Sequence, residues 1–154
     1  LDQYGKSDLA RQVARKVVEH MYKTYVEYEP HTIWECYSPT EFKPAITPKS
    51  GKIVRSDFCG WSALGPISLF IEDVIGIKSA NAFTKTLVCD FPKDIKGRIG
   101  VENYRFGNIV CSVIATKEKV VVKTNHPFTL ILNGKRHQVK NGENTIKHKY
   151  CCAK

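Results

Sequence analysis

One carboxylate set among aromatic rings opens the run Thr32-Ile33-Trp34-Glu35-Cys36-Tyr37-Ser38-Pro39. A second block, Asp57-Phe58-Cys59-Gly60-Trp61-Ser62-Ala63, follows further along the chain. Together they read as the two ends of one loop. Sugars present apolar C–H faces that stack on aromatic rings and hydroxyls that hydrogen-bond to carboxylates. Glycosidic bonds are cleaved by two carboxylates placed on opposite faces of the scissile linkage. Glu35 could supply one of these, with Trp34, Tyr37 and Trp61 forming a stacking wall. A plainer arrangement fits the same residues: two tryptophans in a core, and a glutamate near a helix end.

The elements that would hold this loop can be read on either side of it. Ser7-Asp8 reads as a helix start. Leu9, Val13, Val17 and Met21 follow at four-residue spacing, widened by Ala10, Ala14, Val18 and Tyr25. This predicts an amphipathic helix of roughly five turns that ends before Pro30. Residues 30–58 then carry Pro30, Pro39, Pro44, Pro48 and Gly51 and read as a long irregular segment. Loops of this length are usually functional or disordered, and Trp34, Tyr37 and Phe42 argue for order. A second helix is expected from about Ser62 to Ile75. Pro66 pulls its start toward Gly65, and Gly76 is its expected C-cap. Leu64, Ile67, Leu69, Phe70, Ile71, Val74 and Ile75 wrap most of its circumference, the pattern of a helix buried on most sides. Such a helix needs more partners than one other helix provides. Either further helices lie outside this stretch or copies of the chain associate. The chain opens on Leu1-Asp2-Gln3-Tyr4 and enters a helical pattern almost at once, as an excised fragment or a processed chain would.

After residue 84 the period changes. Thr86–Cys89, Ile99–Val101, Tyr104–Phe106, Ile109–Ile114, Val120–Val122 and Phe128–Leu132 are strand candidates. Gly107-Asn108, Asn133-Gly134 and Asn141-Gly142 are turn signals. The expected class is therefore α+β: helices over residues 1–83, then an antiparallel β-sandwich or meander over 84–154.

Composition narrows the function classes. The chain has 154 residues, 42% hydrophobic and 25% charged, ordinary for a globular domain. No apolar run is long enough to span a bilayer, so no membrane partner is expected. Residues 1–92 hold 11 Lys+Arg and 11 Asp+Glu, whereas residues 93–154 hold 13 against 4 and supply the whole +9. A basic half can mark a nucleic-acid surface. Here the lysines fall between strand-like runs without interleaved aromatics, so solvated strand faces are expected and nucleic acid is not. The six cysteines are Cys36, Cys59, Cys89, Cys111, Cys151 and Cys152. They form no CxxC pair and fit no zinc spacing, so no metal is expected. Cys89 and Cys111 read as reduced, buried thiols.

The run Ile33-Trp34-Glu35-Cys36-Tyr37-Ser38-Pro39, an intervening loop, and Phe58-Cys59-Gly60-Trp61-Ser62-Ala63 resemble a paired signature near the C-terminal end of the (α/α)6-barrel glycoside hydrolases. That signature is W-E-x-Y-[NS]-P followed by F-G-W-[ST]. The clan includes trehalases and the family sixty-three α-glucosidases. The resemblance covers about residues 7–80. It implies that Glu35 is the general base of an inverting reaction, and that Trp61 and Phe58 line the sugar pocket beside Trp34 and Tyr37. It implies an α-linked di- or oligosaccharide substrate and no metal or organic cofactor. A periplasmic or secreted location is favoured for the parent enzyme. Cys59 is an extra residue between Phe58 and Gly60 relative to the signature. The family's general acid is an Asp well upstream, and Asp2 and Asp8 do not resemble it. The chain alone is therefore expected to be inactive, lacking an N-terminal barrel. A non-catalytic carbohydrate-binding or structural β-module is the alternative reading.

Overall fold

The computed structural model describes residues 1–55 and 59–147. Phe58, Cys151 and Cys152 lie outside them. The fold is α+β, with two helices followed by eight strands in two sheets. The chain divides into two compact units, residues 1–74 and 75–154. That division precedes the expected one at residue 83, because Ile77–Asn81 is already a strand.

In the first unit, helix α1 spans Ser7–Glu27. Its buried positions are Arg11, Ala14 and Thr24, while Leu9, Val13 and Val17 stay exposed. The packed stripe thus differs from the one the four-residue spacing predicts. The reason lies in its partner. Helix α2 covers only Leu64–Leu69, too short to shield both flanks of a 21-residue helix. A 3-10 turn, Gly60–Ala63, leads into α2, and a π-helical turn, Phe70–Ile75, follows it. Arg11 crosses to this segment, its guanidinium donating to the Asp73 carbonyl at 2.9 Å. Leu64, Ile67 and Phe70 are exposed. Among the described residues, the all-round burial expected of this helix is absent.

The segment after α1 is more regular than its prolines suggest. Tyr37 pairs with Pro44 and Ile46 with Ile53 in antiparallel bridges. The Ser38 N–H donates to the Lys43 carbonyl at 3.0 Å and the Ala45 N–H to the Cys36 carbonyl at 3.0 Å. The Val54 N–H donates to the Ala45 carbonyl at 2.9 Å. Residues 36–54 therefore double back twice, held by local backbone hydrogen bonds.

The second unit contains β1 (Ile77–Asn81), β2 (Thr86–Cys89), β3 (Ile99–Phe106), β4 (Ile109–Ala115), β5 (Lys119–Thr124), β6 (Phe128–Leu132), β7 (Lys135–Val139) and β8 (Gly142–Lys147). One sheet has the order β1-β2-β6-β7 and the other β3-β4-β5-β8. All pairings are antiparallel except β2 with β6, which run parallel. Strand alternation builds the core. Ile109, Cys111, Val113 and Ala115 of β4 and Val120 and Val122 of β5 are buried. So are Leu87 and Cys89 of β2 and Phe128, Leu130 and Leu132 of β6. Phe106 and Phe128, one from each sheet, meet edge-to-face with centroids 5.6 Å apart, so the inner faces share one core. Cys89 and Cys111 are free, buried thiols there. Burial pushes both thiols up, Cys111 to about 11.

Two expected strands, Ile99–Val101 and Tyr104–Phe106, merge into β3, whose register shifts between Val101 and Tyr104. Asn103 sits there with φ 56°, the geometry of a bulge. Asn133-Gly134 forms the β6–β7 hairpin with both residues at positive φ, as a type I′ turn requires. Asn141-Gly142 is no hairpin; it carries the chain from β7 in one sheet to β8 in the other.

Candidate functional site

The site lies within the first unit, where the end of α1, the folded-back loop and the Gly60–Ala63 turn meet. Trp34 is fully buried. It offers no ring face to a ligand and acts as a floor rather than a stacking platform. Its backbone N–H donates to the Tyr37 hydroxyl at 3.0 Å, which fixes the Tyr37 ring across the block. Burial pushes the Tyr37 phenol up, against a smaller opposing pull from the Trp34 N–H. It stays protonated at neutral pH.

Glu35 is partly exposed, at 26% of its side chain. Its Oε2 forms an ion pair with Arg55 Nε at 3.3 Å, yet that oxygen is buried and accepts no hydrogen bond. The Glu35 carbonyl accepts from the Ser62 hydroxyl at 2.6 Å. This bond joins the two sequence blocks. They meet through Ser62, the residue after the tryptophan, and not through Trp61, which stands 84% exposed. Trp61 therefore builds no wall within this unit.

Further residues close around the site that the sequence did not point to. The His20 ring lies edge-on to Tyr37, with centroids 5.7 Å apart, and to Phe42 at 5.1 Å. Lys23 Nζ sits 4.2 Å from the Phe42 centroid, a cation–π contact. His20 lies one turn before Thr24 on α1, and its carbonyl accepts the Thr24 hydroxyl at 2.9 Å. A histidine on the inner face of the helix that leads into an aromatic block is the signal that could have found it. Arg55 could not have been found this way, since only the folding back of residues 36–54 brings it to Glu35.

Among the described residues, three buried side-chain polar atoms lack a hydrogen-bond partner: His20 Nε2, Trp34 Nε1 and Glu35 Oε2. All belong to this one site. Buried polar atoms are almost always paired in folded proteins. All three are inaccessible to solvent, within one short stretch of the fold. The set combines a donor, a carboxylate acceptor and an imidazole nitrogen. Among the described residues no cluster of His, Cys, Asp and Glu could hold a metal ion, and no helix is long and apolar enough to cross a membrane.

No protein-family model matches the chain, and no curated protein matches it. Among solved structures, a protein described as a kojibiose phosphorylase from the human microbiome aligns over 56% of this chain. The TM-score is 0.44 and the identity 14%. The match spans 11% of that protein's length. The likeness is coarse, and no residue role transfers from it.

Proposed function

We propose that the chain is part of a glycoside-cleaving enzyme of the inverting, two-carboxylate type, with Glu35 as its general base. The observation that carries this reading is the Ser62–Glu35 hydrogen bond at 2.6 Å. It ties the two motif blocks together at the backbone carbonyl of Glu35. His20 Nε2 and Trp34 Nε1, buried and without a hydrogen bond among the described residues, support the same reading.

In this mechanism the Glu35 carboxylate takes a proton from a water that attacks the anomeric carbon. A general acid from outside these 154 residues protonates the leaving oxygen. An inverting pair stands roughly 6.5–9.5 Å apart to leave room for that water. Arg55 orients the Glu35 carboxylate through their ion pair. Tyr37, held by the Trp34 N–H, and Trp61 line the sugar subsite, with Phe58 following Trp61 on the resemblance alone. The substrate is an α-linked di- or oligosaccharide. The exposed apolar side of Leu64, Ile67 and Phe70 packs against the N-terminal barrel portion, or against a second copy when that portion is missing.

Glu35→Gln in a longer chain that carries the barrel tests the assignment. The expected loss in kcat on α-linked disaccharides is about 10²–10⁴-fold, the usual contribution of a general base. Near-normal turnover would remove Glu35 from the mechanism. The 154-residue chain alone is expected to release no sugar.

A further inference from the structure

The outer face of the β3-β4-β5-β8 sheet holds a trough, remote in sequence from the Glu35 block. Its cavity volume is about 570 Å³, within the range of small-molecule sites. A shallower hollow of about 450 Å³ continues it, sharing Asn103, Ser112, Lys123 and Glu143.

The register explains its shape. Gly100, Ile114, Val121 and Thr145 form one row across the four strands. Gly100 contributes no side chain and cannot be replaced cheaply. Its φ is +153°, and a Cβ would lie 1.9 Å from the Val113 carbonyl oxygen. Gly100 lets β3 approach β4 closely at this row, and Ile114 and Val121 make the apolar floor of the trough.

The rim is charged and unevenly matched. Arg98 pairs with Glu102 at 3.5 Å and Lys123 with Glu143 at 3.2 Å. Lys119 stands directly opposite Lys147 across β5 and β8. Both are exposed, and neither has an ion pair among the described residues. Glu118, on the adjoining turn, is engaged by the Thr116 hydroxyl at 3.2 Å. Like charges directly opposite on a sheet destabilise it, and an anion between them would reverse the sign of that contribution. Among the described residues no aromatic ring lines the trough, which disfavours sugar stacking or bases of nucleic acid.

We propose that this trough binds a small organic anion with an apolar body. The anionic group sits between Lys119 and Lys147, near the Thr116 hydroxyl. The body lies on Ile114 and Val121.

The test is a ¹⁵N–¹H titration of the 154-residue chain with phenyl phosphate, inorganic phosphate and trehalose. Phenyl phosphate is expected to shift the amides of Ile114, Thr116, Lys119 and Val121 saturably and to bind more tightly than inorganic phosphate. The Lys119→Gln/Lys147→Gln pair should weaken it by about tenfold. Lys135→Gln/Lys140→Gln removes equal charge elsewhere and should leave it unchanged. Val121→Thr, which keeps the side-chain shape, should narrow the advantage of phenyl phosphate over inorganic phosphate. Unshifted spectra at the rest of the sheet verify that each variant is folded. The site is overturned if no saturable shift appears, if both lysine pairs weaken binding equally, if inorganic phosphate binds as tightly as phenyl phosphate, or if trehalose produces the same shifts.

Discussion

Residues 1–74 and residues 75–154 dispose of their apolar side chains in opposite ways. In the second unit strand alternation sends them inward, and Phe83 is its one exposed large hydrophobic residue among those described. In the first, Leu9, Val13, Val17, Trp61, Leu64, Ile67 and Phe70 all face outward. Sheets bury a face by stacking on a second sheet, which the chain itself supplies. Helices bury a stripe only against other helices, and α1 has just the short α2 within its unit. The polar atoms follow the same division. Among the described residues, the three buried side-chain polar atoms without a hydrogen bond all lie in the first unit.

The largest way to test this contrast is through Glu35, whose amide variant, on the proposed reading, should cost about 10²–10⁴-fold in kcat with little change in the stability of either unit. Core truncation in the second unit comes next. Leu130→Ala, at a fully buried position, should lower stability by about 2–5 kcal/mol in urea denaturation followed by circular dichroism. Gly100→Ala should cost about 1–3 kcal/mol, because the new Cβ meets the Val113 carbonyl at 1.9 Å at a φ of +153°. At the small end, Leu64→Ser and Ile67→Ser should shift stability by about 0.5 kcal/mol or less. They should instead reduce self-association in sedimentation. A large loss of stability from either would show that the helical face is already covered within the chain.

Cysteine titration separates the units by pH. Burial raises the Cys111 thiol from the model-compound value of 9.0 to about 11, and raises Cys89 too. Above pH ~9 the unfolded chain loses these protons while the folded one keeps them. The stability from the two thiols is thus complete below about pH 9 and declines as pH rises toward 11. Replacing both by Ala should flatten that part of the stability profile. At pH 8 exposed Cys59 should react promptly with a thiol reagent, and Cys89 and Cys111 only on unfolding.

Much of this architecture was legible before folding. Alternating apolar residues set β4 and β6, and Asn133-Gly134 set their neighbouring hairpin, because side-chain period and positive φ are local properties. Strands β1, β7 and β8 were not legible. Ile77–Asn81, Lys135–Val139 and Gly142–Lys147 are polar edge strands whose structure comes from backbone bonds to a neighbour. The parallel β2–β6 pairing was equally hidden, since it joins residues far apart in sequence. At the candidate site, residue type marked Glu35 and its aromatic neighbours. Only the tertiary structure decided that Trp34 is a floor, that Trp61 faces outward, and that Ser62, Arg55 and His20 complete the surroundings. A carboxylate's identity is carried by one residue. Its partners are chosen by how a proline-rich segment doubles back, which depends on backbone bonds formed at a distance.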